Sequence, residues 1–146
     1  MAYASTSPAS HSSAQASQAD LAALLLRVAM GVLFVLHAWM KISVFTPAGT
    51  AQYFASIGLP GVLAYLTIAA ELLGGLALIA GVFTRWVSLA LVPVMVGAAF
   101  FGHGSAGFFF SNAGGGWEYP AFWTVALLVQ ALLGDGAYSL TNRAAR

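Results

Sequence analysis

Residues 21–42 read LAALLLRVAMGVLFVLHAWMKI, and this stretch decides the fold class. Seventeen of its first twenty residues are apolar. A helix of about 20 mostly apolar residues is long enough to cross the hydrocarbon core of a bilayer. A spanning strand would need alternating apolar and polar residues, and this stretch lacks that alternation. It therefore predicts a transmembrane helix, with Asp20 in front of it as the N-cap.

Three further apolar segments follow, at residues 61–83, 86–101 and 118–134. Gly, Pro and Thr residues interrupt the chain between them, as expected where helices end. We predict an all-α fold, an integral membrane four-transmembrane-helix bundle that forms one domain over residues 21–140. Residues 1–20, rich in Ser and Ala, are predicted to be a disordered N-terminal tail, and residues 141–146 a short C-terminal tail.

The composition agrees with a membrane protein. The 146 residues are 60% hydrophobic and 6% charged, with a mean hydropathy of +0.87 and a net charge of +1. Soluble domains carry about 25% charged residues, so a soluble enzyme is excluded. The small net charge gives no reason to expect a nucleic-acid partner. Because the chain has no cysteine, it cannot form disulfides, thiolate metal sites or a thiol nucleophile.

Four crossings place both termini on one side of the bilayer. The arginines gather on that side: Arg27, Arg85, Arg143 and Arg146. Lys41 and Glu118 lie on the other side. By the positive-inside tendency, we expect a multi-pass protein of the cell (inner) membrane with both termini in the cytoplasm. The lipid bilayer is then its first partner.

Charged residues within the apolar segments need a reason, because a charge at the bilayer centre costs about 2.5–3.5 kcal/mol on insertion scales. Glu71 lies 10 residues from Gly61 and 12 residues from Phe83, too far to reach either interface. Arg27 lies about 9 Å into the first segment, and its long side chain can approach the depth of Glu71. We predict a buried Arg27–Glu71 pair between the first two transmembrane helices. Such a pair either only fixes helix register or handles a ligand or protons.

A second polar group is expected at the outer ends of the helices. Its members are His37, Lys41, His103, Glu118 and Tyr119. His37 and Lys41 are one helical turn apart, and all five residues fall on the predicted outer side, where a water-accessible mouth is allowed. Together with Arg27 and Glu71 they are the candidate ligand-binding or proton-handling residues. The sequence indicates no catalytic residue and no metal site.

Several short motifs occur in order along the chain: Arg27-x3-Gly31-x2-Phe34-x2-His37-x3-Lys41, Glu71-x2-Gly74-Gly75, Gly81-x2-Thr84-Arg85, His103, Phe108–Phe110, Gly115-Gly116-Trp117-Glu118-Tyr119 and Gly134-x-Gly136-x-Tyr138-Ser139-Leu140. Together they resemble the DoxX family of small four-helix membrane proteins over residues 21–140. The chain departs from the family pattern at Ala38, where the family usually has glycine. It departs again at Asp135 and Thr141, where proline and aspartate are common.

The resemblance implies a link to redox chemistry. Family members are associated with a quinol oxidase, with the quinone-linked subunit of thiosulfate oxidation and with oxidative-stress tolerance. A quinone headgroup needs hydrogen-bond donors and a proton path, which His37, Lys41 and Glu71 can supply, with Phe34 and Trp39 as aromatic walls. The chain has no obvious electron carrier, so a soluble oxidoreductase partner would have to deliver electrons.

Other functions remain open at this point. A b-type haem held by His37 and His103 is disfavoured, because two histidines on different helices are not enough to predict it. A small proton or solute transporter lined by Arg27 and Glu71 would require a homo-oligomer or a narrow proton route, since four helices leave little room for a pore in a monomer. A scaffold that anchors a soluble partner enzyme through the Phe-rich outer loop or the Arg-ended C-terminal tail is the third alternative.

Overall fold

Every regular element is a helix in residues 17–144, the part of the chain that the computed structural model describes. Within these residues the α-helices are α1 (Gln18–Ser43), α2 (Pro47–Ser56), α3 (Val62–Ala80), α4 (Thr84–Gly97), α5 (Glu118–Leu133) and α6 (Leu140–Ala144). A π-helical turn, Ala98–Gly102, continues α4, and a 3-10 turn, Gly104–Ala106, follows it. The predicted all-α fold is confirmed for the described residues.

Three helical segments of the described chain are long and apolar enough to cross a membrane: Gln18–Ser43, Val62–Ala80 and Thr84–Gly102. Helix α5 is also apolar but has 16 residues. At 1.5 Å per residue it is about 24 Å long, shorter than the hydrocarbon core of about 30 Å. Three of the predicted spans therefore have the required length, whereas the crossing of the fourth stays a prediction.

Helix α1 begins before its predicted start. Ser17 is its N-cap: the Ser17 hydroxyl oxygen accepts a hydrogen bond from the Asp20 N–H at 3.2 Å, and the Asp20 carboxylate accepts from the Ser17 N–H at 2.9 Å. The prediction of Asp20 as N-cap was wrong, because the S-x-x-D pattern here forms a capping box. Residues 17–20 thus belong to the helix start, and residues 1–16 of the predicted tail lie outside the described residues.

Helices α1 and α3 run antiparallel with their backbones in close contact. A Cβ atom placed on Gly31 would lie 2.6 Å from the carbonyl oxygen of Gly75, and one on Gly75 would lie 2.8 Å from the carbonyl oxygen of Gly31. Such an approach is open only to residues without a side chain. The contact sets the register that places Lys41 beside Glu71 and Arg27 beside the last turn of α3.

The apolar core lies between α1, α3, α4 and α5, with these members: Met30, Phe34, Leu78, Leu91, Met95, Trp123, Ala126 and Leu127. Large apolar side chains also cover the outward faces of the same helices, among them Leu25, Leu66 and Leu132. A protein surrounded by water rarely exposes apolar surface on this scale. These faces are suited to contact with lipid chains.

One end of the bundle is tied together by residues that follow α5. The Asp135 carboxylate accepts a hydrogen bond from the backbone N–H of Thr84 at 2.6 Å, at the start of α4. The Asp20 carboxylate accepts from the backbone N–H of Ala137 at 2.8 Å. The described residues nearest the two termini therefore lie at the same end, as an even number of crossings requires. Helix α6 occupies most of the predicted C-terminal tail, and Arg146 lies outside the described residues.

Replacing Gly31 with alanine should lower the free energy of unfolding by about 1–3 kcal/mol, because the added methyl group meets backbone atoms of α3. The loss can be measured by titrating the purified protein with a denaturing detergent in mixed micelles. Gly97→Ala is the matched control, since a Cβ atom there meets nothing within 4 Å. An equal loss in both variants would contradict the close α1–α3 contact.

Candidate functional site

A cavity of about 1020 Å³ opens at the end of the bundle where α1 ends and α5 begins. It lies between the last turns of α1, helix α2, the first half of α3, the end of α4 with its π-helical turn, and the start of α5. Small-molecule sites usually measure about 300–1,000 Å³, so this volume suits a ligand at the large end of that range. Five of the seven candidate residues line it: His37, Lys41, Glu71, His103 and Tyr119.

The charged group of the cavity is an ion pair between α1 and α3. The ammonium nitrogen of Lys41 donates to both carboxylate oxygens of Glu71, at 2.8 Å and 2.9 Å. The Glu71 side chain is only 5% exposed and that of Lys41 is 16% exposed. Two of the three ammonium protons of Lys41 are used here. One remains for a ligand.

The predicted Arg27–Glu71 pair is therefore wrong. The prediction compared depths measured from the helix ends, and it did not include the register between the two helices. Because α1 crosses α3 where Gly31 meets Gly75, Glu71 faces the C-terminal half of α1, where Lys41 lies. Arg27 lies on the opposite side of that crossing.

Arg27 belongs to the other end of the bundle and does not line the cavity. Its guanidinium donates to the carbonyl oxygens of Leu78 (3.0 Å), Ile79 and Tyr138 (3.0 Å). Two of these carbonyls belong to the last turn of α3, where carbonyl groups lack partners within the helix and a cation is favoured. Arg27 thereby joins α1, α3 and the segment after α5.

Both histidines of the cavity have one ring nitrogen bound to backbone. Nδ1 of His37 donates to the carbonyl oxygen of Leu33 at 2.8 Å. Nδ1 of His103 donates to the carbonyl oxygens of Gly115 at 2.9 Å and Gly114 at 3.1 Å. A carbonyl oxygen can only accept, so Nδ1 carries the proton in each ring. In the neutral imidazole, Nε2 is then a hydrogen-bond acceptor.

The aromatic wall differs from the predicted one. Trp123 of α5 lines the cavity. The centroid of its ring lies 5.0 Å from the ring centroid of His37 and 5.5 Å from that of Tyr119. Phe34 is stacked on Trp123 at 4.8 Å within the core, and Trp39 is 58% exposed, so the predicted walls do not line the cavity. The four-residue spacing of Tyr119 and Trp123, which places both on one helix face, is the signal that could have indicated them.

Helix α2, which was not predicted from the sequence, forms one wall of the cavity. Thr50, Tyr53 and Phe54 line the cavity from this side. The Thr46 hydroxyl oxygen accepts from the backbone N–H of Gly49 at 3.1 Å, and Pro47 is the first helical residue. The Thr-Pro pair is a typical helix start and could have indicated α2.

The π-helical turn brings His103 to the cavity. The backbone N–H of His103 donates to the carbonyl oxygen of Ala98, five residues earlier, at 3.0 Å. Gly102 and His103, at the end of this wider turn, both line the cavity. Turns of this kind are frequent at functional sites.

Glu118 lies near the same end of the bundle but does not line the cavity. Its carboxylate accepts from the backbone N–H of Phe110 at 2.8 Å, and its own backbone N–H donates to the carbonyl oxygen of Phe108 at 3.0 Å. Glu118 thus stabilises the Phe-rich loop through these two hydrogen bonds. Its candidate role in ligand binding stays a prediction.

The DoxX family model matches residues 22–104, which is more than half of the chain. The chain belongs to the DoxX family. It is 39% identical over 79 residues to the Bacillus subtilis protein named "Putative oxidoreductase CatD", a match that covers 54% of this chain and 58% of that protein. It is 32% identical over 123 residues to the Escherichia coli inner membrane protein YqjF, covering 83% of this chain and 90% of that protein.

A further relative is the Escherichia coli inner membrane protein YphA, 29% identical over 129 residues, with 82% of this chain and 88% of that protein covered. No solved structure matches the chain. Membership of DoxX, inner-membrane relatives and the apolar helices together make this chain a membrane protein.

Asp135 and Thr141, near the C-terminal end of the chain, both have roles in the fold. Asp135 binds the first backbone N–H of α4, as described above. Thr141 donates from its hydroxyl to the carbonyl oxygen of Gly81 at 3.0 Å. Both side chains stabilise the turn between α3 and α4.

Lys41→Met and Glu71→Gln should each lower the free energy of unfolding by about 3 kcal/mol, because each leaves an unpaired charge in a poorly hydrated place. The double variant Lys41→Met/Glu71→Gln has no unpaired charge, so its loss should be clearly smaller than the sum of the two single losses. Unfolding in mixed micelles measures all three. Additive losses would contradict the ion pair.

Arg27→Gln should lower the free energy of unfolding by about 2 kcal/mol or more, because it deprives one buried and two partly buried carbonyl groups of a donor. Combined with Glu71→Gln, its loss should add to within about 0.5 kcal/mol, since the two residues bind different groups. Strong non-additivity in the same micelle assay would revive direct pairing of Arg27 with Glu71.

Proposed function

We propose that this DoxX protein binds a quinone headgroup in the cavity and acts as a membrane subunit of a quinone-linked redox or oxidative-stress system. The observation that carries the proposal is the gathering of His37, Lys41, Glu71, His103 and Tyr119 around a cavity whose other walls are mainly apolar. Ligand sites typically combine an apolar lining with a few convergent polar groups in this way. The oxidoreductase name of the Bacillus relative agrees with it.

The polar groups suit the two oxygen atoms of a quinone. The third ammonium proton of Lys41 and the hydroxyl of Tyr119 can donate to carbonyl oxygens of the headgroup. The indole of Trp123 and the rings of Tyr53 and Phe54 offer apolar and aromatic surface to its ring. Hydrogen bonds would fix the orientation of the headgroup, and apolar contact would supply most of the affinity.

A lipid-soluble tail can leave the cavity toward the bilayer. Leu63 and Leu66 line the cavity from α3, and Leu66 is also 61% exposed on the outer surface of the bundle. An apolar chain that passes these leucines would go from the cavity into acyl chains without crossing water. A quinone with an isoprenoid tail would therefore enter from the membrane.

The proposal includes the membrane topology. Helix α5 would be the fourth crossing, with its shortfall in length filled by the apolar loop that precedes it, since short spans are tolerated when flanking residues adapt. Exposed Arg85, in the first turn of α4, supports a cytoplasmic location for the Arg27 end of the bundle. Both termini would then be cytoplasmic, and the cavity would lie in the outer half of the membrane.

Electron transfer would need a partner. The chain has no cysteine, and residues 17–144 contain no group of three or more His, Asp or Glu side chains placed to hold a metal ion. A soluble oxidoreductase that reaches the bound quinone is the partner that fits this role. A polar transport path through Arg27 and Glu71 is not proposed, because the two residues lie on opposite sides of the α1–α3 crossing.

A scaffold role is the second candidate, and one observation favours it. Phe109 and Phe110 are exposed on a loop whose backbone is held by Glu118 and by Asn112, which donates to the carbonyl oxygen of Ala106 at 2.8 Å. Exposed aromatic groups on an ordered loop are typical of contact surfaces. A soluble enzyme anchored there would depend on the phenylalanines and would not depend on the cavity.

Quinone retained by the purified protein tests the main proposal. The protein is extracted from quinone-containing membranes in mild detergent, and bound quinone is measured by mass spectrometry. Thr67→Phe adds bulk to the cavity wall and should reduce retained quinone at least about tenfold. Tyr65→Phe is the matched control, because Tyr65 lies on the same helix outside the cavity wall. Equal retention in both variants, or none in the wild type, would contradict the proposal.

Proteins that copurify in the same preparations distinguish the scaffold role from the quinone-linked role. A soluble protein that copurifies with the Thr67→Phe variant but is lost from Phe109→Ser/Phe110→Ser would favour anchoring through the loop. Loss of quinone and partner together in Thr67→Phe would favour the quinone-linked role.

A further inference from the structure

In both histidines of the cavity, Nδ1 donates a hydrogen bond to a backbone carbonyl oxygen. The carbonyl oxygens of Leu33 and Gly115 hold the proton of His37 and His103, respectively, on Nδ1. These carbonyls come from separate parts of the fold, the middle of α1 and the loop before α5. Each ring therefore has Nε2 left as its free nitrogen, and among residues 17–144 no hydrogen bond occupies it.

The tyrosine hydroxyls of the wall do not have this restriction, and Lys41 has the opposite one. The hydroxyls of Tyr53 and Tyr119 can rotate to donate or to accept, and Lys41 donates to any oxygen. Glu71 already accepts two hydrogen bonds from Lys41. The free histidine nitrogens therefore place the opposite demand on a ligand from that of Lys41: in the neutral state each needs a donor, whereas Lys41 needs an acceptor.

A quinone and a hydroquinone differ in what they can offer these rings. The carbonyl oxygens of a quinone only accept hydrogen bonds. A quinone oxygen placed against Nε2 therefore brings two acceptors together, and no hydrogen bond forms between them. Each hydroxyl of a hydroquinone can donate its proton to Nε2, while its oxygen still accepts from Lys41 or a tyrosine. Sites built to bind a hydroxyl discriminate strongly against an analogue that cannot donate.

We infer that the cavity binds the reduced, hydroquinone form in preference to the quinone, with Nε2 of His37 and of His103 accepting the hydroxyl protons. This inference rests on the proposed quinone site and adds the redox form that the site selects. Binding alone is described, so no electron leaves the ligand in this step. Such a site would present a hydroquinone with its two protons already directed at bases, ready for an oxidising partner.

Binding of a matched redox pair tests the inference. Durohydroquinone and duroquinone are titrated separately into the full chain in lipid nanodiscs, without oxygen and at pH 8, where imidazole is mainly neutral. Calorimetry gives the two dissociation constants. We expect durohydroquinone to bind at least about tenfold more tightly than duroquinone.

Variants of the two rings assign the effect. His37→Phe and His103→Phe remove the acceptor and should each reduce the preference for durohydroquinone several-fold, mainly by weakening its own binding. His103→Gln offers an amide oxygen as acceptor and should retain more of the preference than His103→Phe. A thermal unfolding curve of each variant without ligand shows that it is folded.

The outcomes separate this inference from the function on which it rests. Equal affinity for the two probes, or tighter binding of duroquinone, would overturn the inference while leaving the quinone site in place. A preference unchanged in both phenylalanine variants would also overturn it, because the histidines would not be its source. Absence of binding for both probes would overturn the site and the inference together.

Discussion

The contact between the backbones of α1 and α3 at Gly31 and Gly75 is the constraint on which the arrangement of polar groups depends. Since neither position has a side chain, the helices approach until each carbonyl oxygen would touch a Cβ atom on the other. A crossing this close allows little sliding, so it sets a single register. That register brings Lys41 to Glu71 at one side of the crossing and Arg27 to the end of α3 at the other.

Helix packing alone does not require an ion pair at the positions of Lys41 and Glu71. Apolar residues of similar size often replace a buried ion pair with no loss of stability, so such a pair is weak evidence for a role in stability alone. Charged residues inside membrane segments usually mark sites that bind or move something. Here the ion pair lines the same cavity as two histidines and Tyr119, so the charged groups are placed where a bound ligand could contact them.

The two ends of the bundle have different roles in the fold. At the Arg27 end, charged side chains bind backbone groups: the guanidinium binds the last carbonyls of α3, and Asp135 binds the first N–H of α4. These bonds satisfy helix ends and join the segment after α5 to the bundle. At the cavity end, Lys41 and the histidines keep part of their hydrogen-bonding capacity for a ligand. Side-chain bonds to helix ends are thus found at the Arg27 end, and spare hydrogen-bonding capacity at the cavity end.

The sequence alone determined the all-helical fold, the membrane class and five of the residues that line the cavity. Apolar segments of this length have few alternatives, and charged or imidazole groups are rare enough in them to be noticed one by one. Only the tertiary structure decided that Glu71 pairs with Lys41, that Trp123 forms the aromatic wall and that α2 closes one side. These features depend on how two helices are shifted and rotated against each other. A shift of one turn, about 5.4 Å, changes every partner and leaves the hydrophobic pattern of each helix the same.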